Sequence, residues 1–198
     1  MKLTSTRTAL MAALAIGTLA AAGCSSMDSM GGMNAQASDT VMVGGAAMYP
    51  TKTIVENAVN SRDHTTLVAA VTAAGLVPTL SSAGPFTVFA PTNAAFAKLP
   101  AGTVETLVQP ANKATLTKIL TSQVVAGRLT AADILSRIRA GGGRAALTTV
   151  EGGILTASLR GNAVILTDEK GGVATVTQAD VLQSNGVIHV TDTVSMPN

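Results

Sequence analysis

Three methionines spaced three residues apart, Met27, Met30 and Met33, are the side chains whose type and spacing could bind a metal ion. A thioether sulfur is a soft ligand, and Cu(I) is a soft ion, so a methionine cluster is able to hold Cu(I). The same segment is rich in glycine and serine, and methionine is also tolerated in a flexible chain of that kind. The Cu(I) site is kept as an alternative to this simpler interpretation. The sequence predicts no cofactor.

The two histidines, His64 and His189, do not lie at metal-ligand spacing with each other or with a pair of carboxylates. The sequence contains no GxSxG, HExxH or GxxxxGK[ST] motif. Gly141-Gly142-Gly143-Arg144 is glycine-rich but lacks the lysine and the preceding strand of a phosphate-binding loop. Asp168-Glu169-Lys170 is typical of a solvated turn. We therefore predict that the protein is not an enzyme and has no catalytic residues.

The single cysteine, Cys24, follows a segment typical of an export signal, residues 1–23. That segment starts with Lys2 and Arg7 and continues with an apolar stretch too short to span a bilayer well. Ala21-Ala22-Gly23-Cys24 resembles a lipoprotein box, in which the cysteine is acylated and becomes the first mature residue. The alternative is ordinary cleavage after the alanines, which leaves a free thiol, a liability in an oxidising compartment. We favour lipid attachment at Cys24, and one cysteine allows no disulfide within the chain.

The chain after the signal divides into a tether and one domain. Residues 24–50 are rich in glycine, serine and methionine and predict a flexible tether, with ordered structure beginning at Met48-Tyr49-Pro50. Residues 51–198 are long enough for a single domain with one sizeable core. The predicted location is a lipid-anchored position in the bacterial cell envelope, at the outer membrane or in the periplasm. An unanchored periplasmic or secreted protein is the alternative.

The charge balance argues against nucleic acid as a partner. The whole chain carries a formal net charge of +2, but Lys2 and Arg7 belong to the predicted signal. Without them, 11 basic residues remain against 11 acidic ones, so the mature chain is formally neutral. No basic patch is left to attract a phosphate backbone.

Apolar residues recur at helical spacing up to Arg139 and alternate like strands from Arg144 onward. One predicted helix is capped by Ser61 or Asp63, with His64 at its start and without a special role. Helices first and strands second indicate an α+β domain. The predicted strands of the second half are Ala145 to Val150, Ile154 to Leu159, Ala163 to Thr167, Val173 to Thr177 and Val187 to Val194.

Two separate stretches then identify a family resemblance. Phe86 to Pro100, FTVFAPTNAAFAKLP, combines a short aromatic strand, a proline stop and a helix capped at Thr92 or Asn93. It resembles the first signature box of the fasciclin-type domain, found in secreted and surface-attached proteins. Asn185 to Asp192, NGVIHVTD, resembles the second box. The resemblance covers roughly Thr51 to Asn198.

This resemblance implies a fasciclin-like fold: two small β-sheets in a wedge or sandwich, with helices packed along one side and the Phe86 and Val187 strands adjacent. It also implies a partner-binding motif. Asp180-Val181-Leu182 occupies the place of an Asp-Ile-Met or Asp-Ile-Leu motif tied to integrin recognition in animal matrix members. The alternative is that Asp180 caps a turn while Val181 and Leu182 fill the core. Many relatives carry Tyr-His where this chain has Ser122-Gln123, so integrin-type adhesion does not transfer directly.

His189 lies inside the second box and should face away from its neighbours Ile188 and Val190. It is either a structural histidine hydrogen-bonded near the sheet edge or a pH-responsive contact. The sequence as a whole predicts an exported, surface-anchored module for cell adhesion or for binding extracellular matrix, protein or glycan. The alternative is a non-catalytic cell-envelope binder of a small apolar ligand or of Cu(I).

Overall fold

A computed structural model describes residues 40–198 of the chain. The predicted signal, Cys24 and the methionines Met27, Met30 and Met33 lie outside the described residues. Among the helices of residues 40–198, none combines the length and the apolar character needed to cross a bilayer.

A β-hairpin occupies part of the predicted tether. Strands β1 (Val41–Val43) and β2 (Ala46–Met48) pair antiparallel, and the turn between them consists of Gly44 and Gly45. Both glycines have positive φ, as a two-residue turn matched to the strand twist requires. Val43 and Met48 are buried in the domain core. The expectation that order begins at Met48 was therefore wrong, since ordered structure includes the hairpin from Val41.

Seven short helices follow the hairpin or alternate with strands. Two of them begin with a reciprocal capping box: Thr53 with Glu56, and Thr130 with Asp133. The helix predicted to start at Ser61 or Asp63 begins instead at Thr65, because residues Arg62–His64 form a single 3-10 turn. The helices are α1 (Ile54–Ala58), α2 (Thr65–Ala74), α3 (Val77–Leu80), α4 (Asn93–Phe96), α5 (Thr103–Leu107), α6 (Lys113–Thr121) and α7 (Ala131–Ala140).

The large sheet has seven strands in the order β4-β3-β9-β8-β7-β6-β5. Within the described residues, β3 and β9 are parallel and all other neighbouring strands are antiparallel. Instead of the two small sheets expected, the structure has the β1–β2 hairpin and this sheet. The strands are β3 (Phe86–Pro91), β4 (Val124–Ala126), β5 (Arg144–Thr148), β6 (Ile154–Arg160), β7 (Ala163–Thr167), β8 (Val173–Gln183) and β9 (Gly186–Thr191).

The sheet separates two apolar cores. Side chains alternate along the central strands, so Val88 and Ile188 face one core while Phe89 faces the other. Helices α1 to α6 contribute to the first core, whereas α7 packs on β5 and β6 in the second. Helices therefore take part in both cores rather than in one only. The α+β class and the adjacency of the Phe86 and Val187 strands are confirmed.

Both signature boxes have structural roles at this centre. Phe86 to Pro100 forms strand β3 and then helix α4, capped by the Thr92 hydroxyl as predicted. In the second box, the Asn185 side chain donates to the carbonyls of Leu80 and Ser82 and accepts from the Ile54 N–H. A Cβ on Gly186 would lie 2.1 Å from the carbonyl oxygen of its partner in β3. Only glycine allows the two strands to approach this closely.

Candidate functional site

A cavity of about 340 Å³ lies within the first core. Its walls come from the β1–β2 hairpin, α1, α2, α3, β3, α6, β4, β8 and β9, and they are almost entirely aliphatic. The polar residues in the wall are His64, Thr72 and Gln123. Of the wall residues, Val59, at the end of α1, is 54% exposed, and Thr72 on α2 is also exposed. The volume lies at the lower end of the range found for small-molecule sites.

His64 is a buried polar group in the cavity wall. It precedes α2 as predicted, but its role differs from the expectation, because the residue is only 3% exposed. Its Nδ1 lies 2.9 Å from the Ser61 hydroxyl, and its Nε2 makes no hydrogen bond with any described residue. Burial lowers the pKa of His64, against the opposing effects of the Ala90 backbone and the Asp63 charge. The folded state therefore favours neutral His64, whose Nε2 is closed to solvent.

His189 lies on the other side of the sheet and is fully paired. Its ring stacks on Phe89 with centroids 5.5 Å apart, and Nε2 lies 2.8 Å from the Leu129 carbonyl oxygen. The Asp180 N–H donates to Nδ1 at 3.3 Å. A backbone N–H can only donate and a carbonyl can only accept, so His189 is neutral with its proton on Nε2. Burial lowers the pKa of His189, against the Leu129 carbonyl and the Asp180 charge.

The expected orientation of His189 is confirmed, since Ile188 and Val190 belong to the first core and His189 faces away from them. The expected position near the sheet edge was wrong. Strand β9 lies between β3 and β8, in the interior of the sheet. Its hydrogen bonds are those of a structural histidine.

Asp180-Val181-Leu182 lies inside β8, which is longer than predicted, at a register shift opposite β9. Asp180 has φ 58° and accepts a hydrogen bond from the Ala131 N–H, at the first position of α7. A carboxylate is favourable at the N-terminus of a helix. Val181 is buried and lines the cavity, and Leu182 is half-buried. Asp180 and Val181 thus make contacts within the domain. The partner-binding role of the three residues stays a prediction.

Ser122 and Gln123, which replace the Tyr-His pair of many relatives, are both buried. The Ser122 hydroxyl donates to the Ile119 carbonyl, and Gln123 forms part of the cavity wall. The pair lies at the end of α6, where Gln123 borders the apolar cavity. The predicted loss of an interaction motif at this position stays a prediction.

The acidic turn at Asp168 is not simply solvated, contrary to the prediction. Asp168 is buried, and its carboxylate accepts hydrogen bonds from the N–H groups of Lys170, Gly172 and Met196. It therefore attaches the C-terminal segment to the β7–β8 turn. Across residues 40–198, no group of three or more histidine, cysteine or acidic side chains is positioned to hold a metal ion.

A sequence model of the fasciclin domain matches residues 62–197. The chain belongs to the fasciclin domain family. It is 49% identical over 158 residues to protein sll1483 of Synechocystis sp., covering 80% of this chain and 81% of that protein. It is 38% identical over 143 residues to immunogenic protein MPB70 of Mycobacterium bovis, covering 70% and 65%. With human periostin the identity is 30% over 139 residues, covering 69% of this chain but 15% of periostin.

A solved FAS1 domain pair from the insect cell adhesion molecule Fasciclin I shares the fold. The TM-score is 0.65 at 17% identity, and the match covers 74% of this chain and 51% of the insect chain. Fasciclin domains are generally adhesion or extracellular interaction modules, and the family is generally non-enzymatic. The family resemblance and the fasciclin fold predicted from the two boxes are confirmed.

Proposed function

We propose that this fasciclin-domain protein is an exported, surface-anchored interaction module that binds protein or glycan at the cell surface and catalyses no reaction. The main support is the family match over residues 62–197. The solved relative is a domain pair from an insect cell adhesion molecule, which is in line with this role.

The anchor in this proposal is a lipid on Cys24, at the start of the predicted tether, residues 24–50, whose described end carries the β1–β2 hairpin. A tether of the predicted glycine- and serine-rich composition would hold the folded part away from the membrane surface. The test is the intact mass of the protein from its native membranes, compared with a Cys24→Ala variant. A diacyl or triacyl mass on a chain starting at Cys24, lost in the variant together with membrane retention, is the expected result. An unlipidated chain starting at Gly23 would exclude the anchor.

The interaction itself is tested with beads that carry the Cys24→Ala chain, mixed with cells of the native host. We expect the beads to attach to the cells. Protease treatment of the cells should abolish attachment if the partner is a protein, and periodate treatment should do so if it is a glycan. Uncoated beads are the control, and equal attachment of coated and uncoated beads would reject the adhesion role.

The surface proposed for the partner is the Asp180-Val181-Leu182 segment with His189. Because His189 and Val181 are buried, only Asp180 and Leu182 are accessible for contact. A Leu182→Ser variant should therefore weaken bead attachment. Because Leu182 is half-buried, about 1 kcal/mol of stability is lost as well, and circular dichroism verifies that the variant is folded. Attachment equal to the wild type would place the partner elsewhere on the domain.

The alternative proposal is a non-catalytic binder of a small apolar ligand or of Cu(I). The apolar cavity in the first core supports the first version. The Cu(I) version rests on Met27, Met30 and Met33 alone and is tested by Cu(I) titration of the chain against a variant with leucine at all three positions. Equal affinities would exclude it.

A further inference from the structure

We propose that one end of the large sheet binds an acidic polysaccharide through its carboxylate or sulfate groups. The site consists of four arginines, Arg137, Arg139, Arg144 and Arg160, which we call the arginine end. This inference rests on the proposed interaction role, for which it names a class of partner and a second surface. Asp180 contacts the first residue of α7, whereas the arginine end lies at the other end of this ten-residue helix, about 15 Å away.

The fold brings the end of α7 against the start of β5. Arg137 and Arg139 belong to the last turn of α7, and Arg144 is the first residue of β5. A Cβ on Gly141, between them, would lie 3.2 Å from the Arg137 carbonyl oxygen and 2.0 Å from the Arg144 carbonyl oxygen. The two backbones therefore meet at this glycine. The three arginines are exposed and start from one small region.

Arg160 joins this region across the sheet. Arg144 pairs with Ser158 of β6, and Arg160 lies two residues further along the same strand. Residues two apart in a strand face the same side, so both arginines lie on the sheet face opposite to the second core. Diagonal neighbours of this kind are about 7 to 8 Å apart, close enough for both guanidinium groups to contact the same polyanion.

No carboxylate balances these arginines. Between residues 134 and 167 the chain has a single acidic residue, Glu151, which lies in the β5–β6 turn at the opposite end of the strands. At the start of α7, Asp133 is bonded to its Thr130 cap. Within residues 40–198, none of the four arginines forms an ion pair. The formally neutral total, from which we predicted no basic patch, therefore conceals an uneven distribution of charge.

The side chains at this end suit an acidic sugar polymer. The planar guanidinium group of arginine donates two parallel hydrogen bonds to a carboxylate or to a tetrahedral oxyanion. The sheet face beside the arginines adds hydroxyl groups, since Ser158 lies opposite Arg144 and Thr156 lies opposite Thr167 in the next row. A hydroxyl group both donates and accepts, as the hydroxyl groups of a sugar do.

An anionic membrane fits the same face less well. The exposed aliphatic side chains of this face, Ile154 and Val173, lie towards the other end of the strands. The Ile154 N–H donates to the Glu169 carboxylate at 3.0 Å, so an acid stands beside the apolar residues. Anionic headgroups would be repelled where these apolar residues could insert.

The test measures binding of the purified Cys24→Ala chain to dextran sulfate, to polygalacturonate and to uncharged dextran by calorimetry. We expect binding to both acidic polymers and none to dextran. An Arg144→Gln/Arg160→Gln variant should bind each acidic polymer at least about tenfold more weakly, the value of one charge-assisted hydrogen bond. Its affinity should also depend less steeply on salt, because fewer ions are released on binding.

A Lys113→Gln/Lys170→Gln variant is the matched control, because it has the same net charge and loses two exposed cations elsewhere. It should bind both acidic polymers nearly as well as the wild type. Circular dichroism and unfolding midpoints verify that both variants are folded. The proposal is overturned if neither acidic polymer binds, or if the arginine and lysine variants bind equally. Tighter binding of phosphatidylglycerol vesicles or of duplex DNA at about 0.15 M salt would also overturn it.

Bead attachment to cells separates this inference from the interaction role. If wild-type and arginine-variant beads attach equally, the interaction role stands and the arginine end is overturned as its surface. If neither attaches while the arginine variant alone loses polysaccharide binding in solution, the arginine end stands and the adhesion role fails.

Discussion

The carboxylate of Asp180 in β8 accepts a hydrogen bond of 2.7 Å from the backbone N–H of Ala131, the first residue of α7. The backbone N–H of Asp180 donates to His189, and His189 in turn contacts the Leu129 carbonyl. Strands β8 and β9 are thereby connected to the start of α7. The segment expected to recognise a partner thus also holds a helix on the second core.

Two substitutions test Asp180 as the hydrogen-bond acceptor for the Ala131 N–H and as a residue at positive φ. Asp180→Ala should lower the free energy of unfolding by about 2 to 4 kcal/mol, since it loses a charged hydrogen bond and places alanine at positive φ. Asp180→Asn keeps an acceptor oxygen and tolerates this backbone conformation, so its loss should stay below about 1 kcal/mol. Urea unfolding measures both values. Equal stability of the two variants would contradict these roles of Asp180.

The stability of the domain should fall as the pH drops below about 6.5, the ordinary pKa of histidine. The folded state lowers the pKa of both His64 and His189, so the unfolded chain binds more protons in this range. Each histidine contributes at most about 1.4 kcal/mol per pH unit. The contribution is fully present above the unfolded pKa and decreases as the pH approaches the folded value.

Urea unfolding between pH 7.5 and 5 measures this dependence. His64→Leu should remove part of the slope, leaving the part that belongs to His189. Three acidic groups have a lowered pKa and act only at lower pH: Glu56 and Asp133, which are hydrogen-bonded to threonine caps, and Asp192, which accepts from the Thr175 N–H. An unchanged stability across pH 7.5 to 5 would show that neither histidine is held neutral by the fold.

The β1–β2 hairpin should contribute to stability through Met48. Met48→Ala creates a cavity at a buried position and should cost about 2 to 5 kcal/mol. Met42, on the neighbouring strand, is 59% exposed, so Met42→Ala should change the free energy of unfolding by less than about 0.5 kcal/mol. Thermal or urea unfolding compares the two. Equal stability of Met48→Ala and Met42→Ala would show that the hairpin does not unfold cooperatively with the rest of the domain.

Asp168 should stabilise the domain and slow amide exchange in the C-terminal segment, through its hydrogen bond from the Met196 N–H. In Asp168→Ala, three backbone N–H groups lose their acceptor, and the stability should fall by about 2 to 3 kcal/mol. The amide of Met196 should exchange with solvent faster in this variant. Lys170→Ala, at the exposed tip of the same turn, should leave both quantities unchanged. Slow exchange of Met196 in Asp168→Ala would mean that another group holds the segment.

The sequence was sufficient to predict the strands that have regular apolar alternation and the two strands that belong to the signature boxes. The alternation from Arg144 onward predicted the strands to within a few residues, and the two boxes predicted the pairing of β3 with β9. The end of β8 was missed because its register shifts and Asp180 adopts positive φ, so the side chains stop alternating regularly. A bulge of this kind has no clear signature in the sequence.

The candidate site could not be derived in the same way. The cavity depends on how far the four short helices of its wall stand from the sheet, a packing distance that no residue pattern encodes. His64 is preceded by a charged residue and followed by two threonines, which is typical of an exposed turn. Its burial results from tertiary packing, in a region whose wall also includes residues of the hairpin and α2.

The pairing of β3 with β9 also sets the order in which the domain can form. Phe86 pairs with Gly186, so the partner of β3 is made one hundred residues later during synthesis. Long-range closure of this kind slows folding, because the entropy of a long loop is lost before the contacts form. Until residues 186–191 are available, β3 and β8 both present unpaired edges. Nascent or C-terminally clipped chains are therefore the forms most exposed to aggregation and proteolysis.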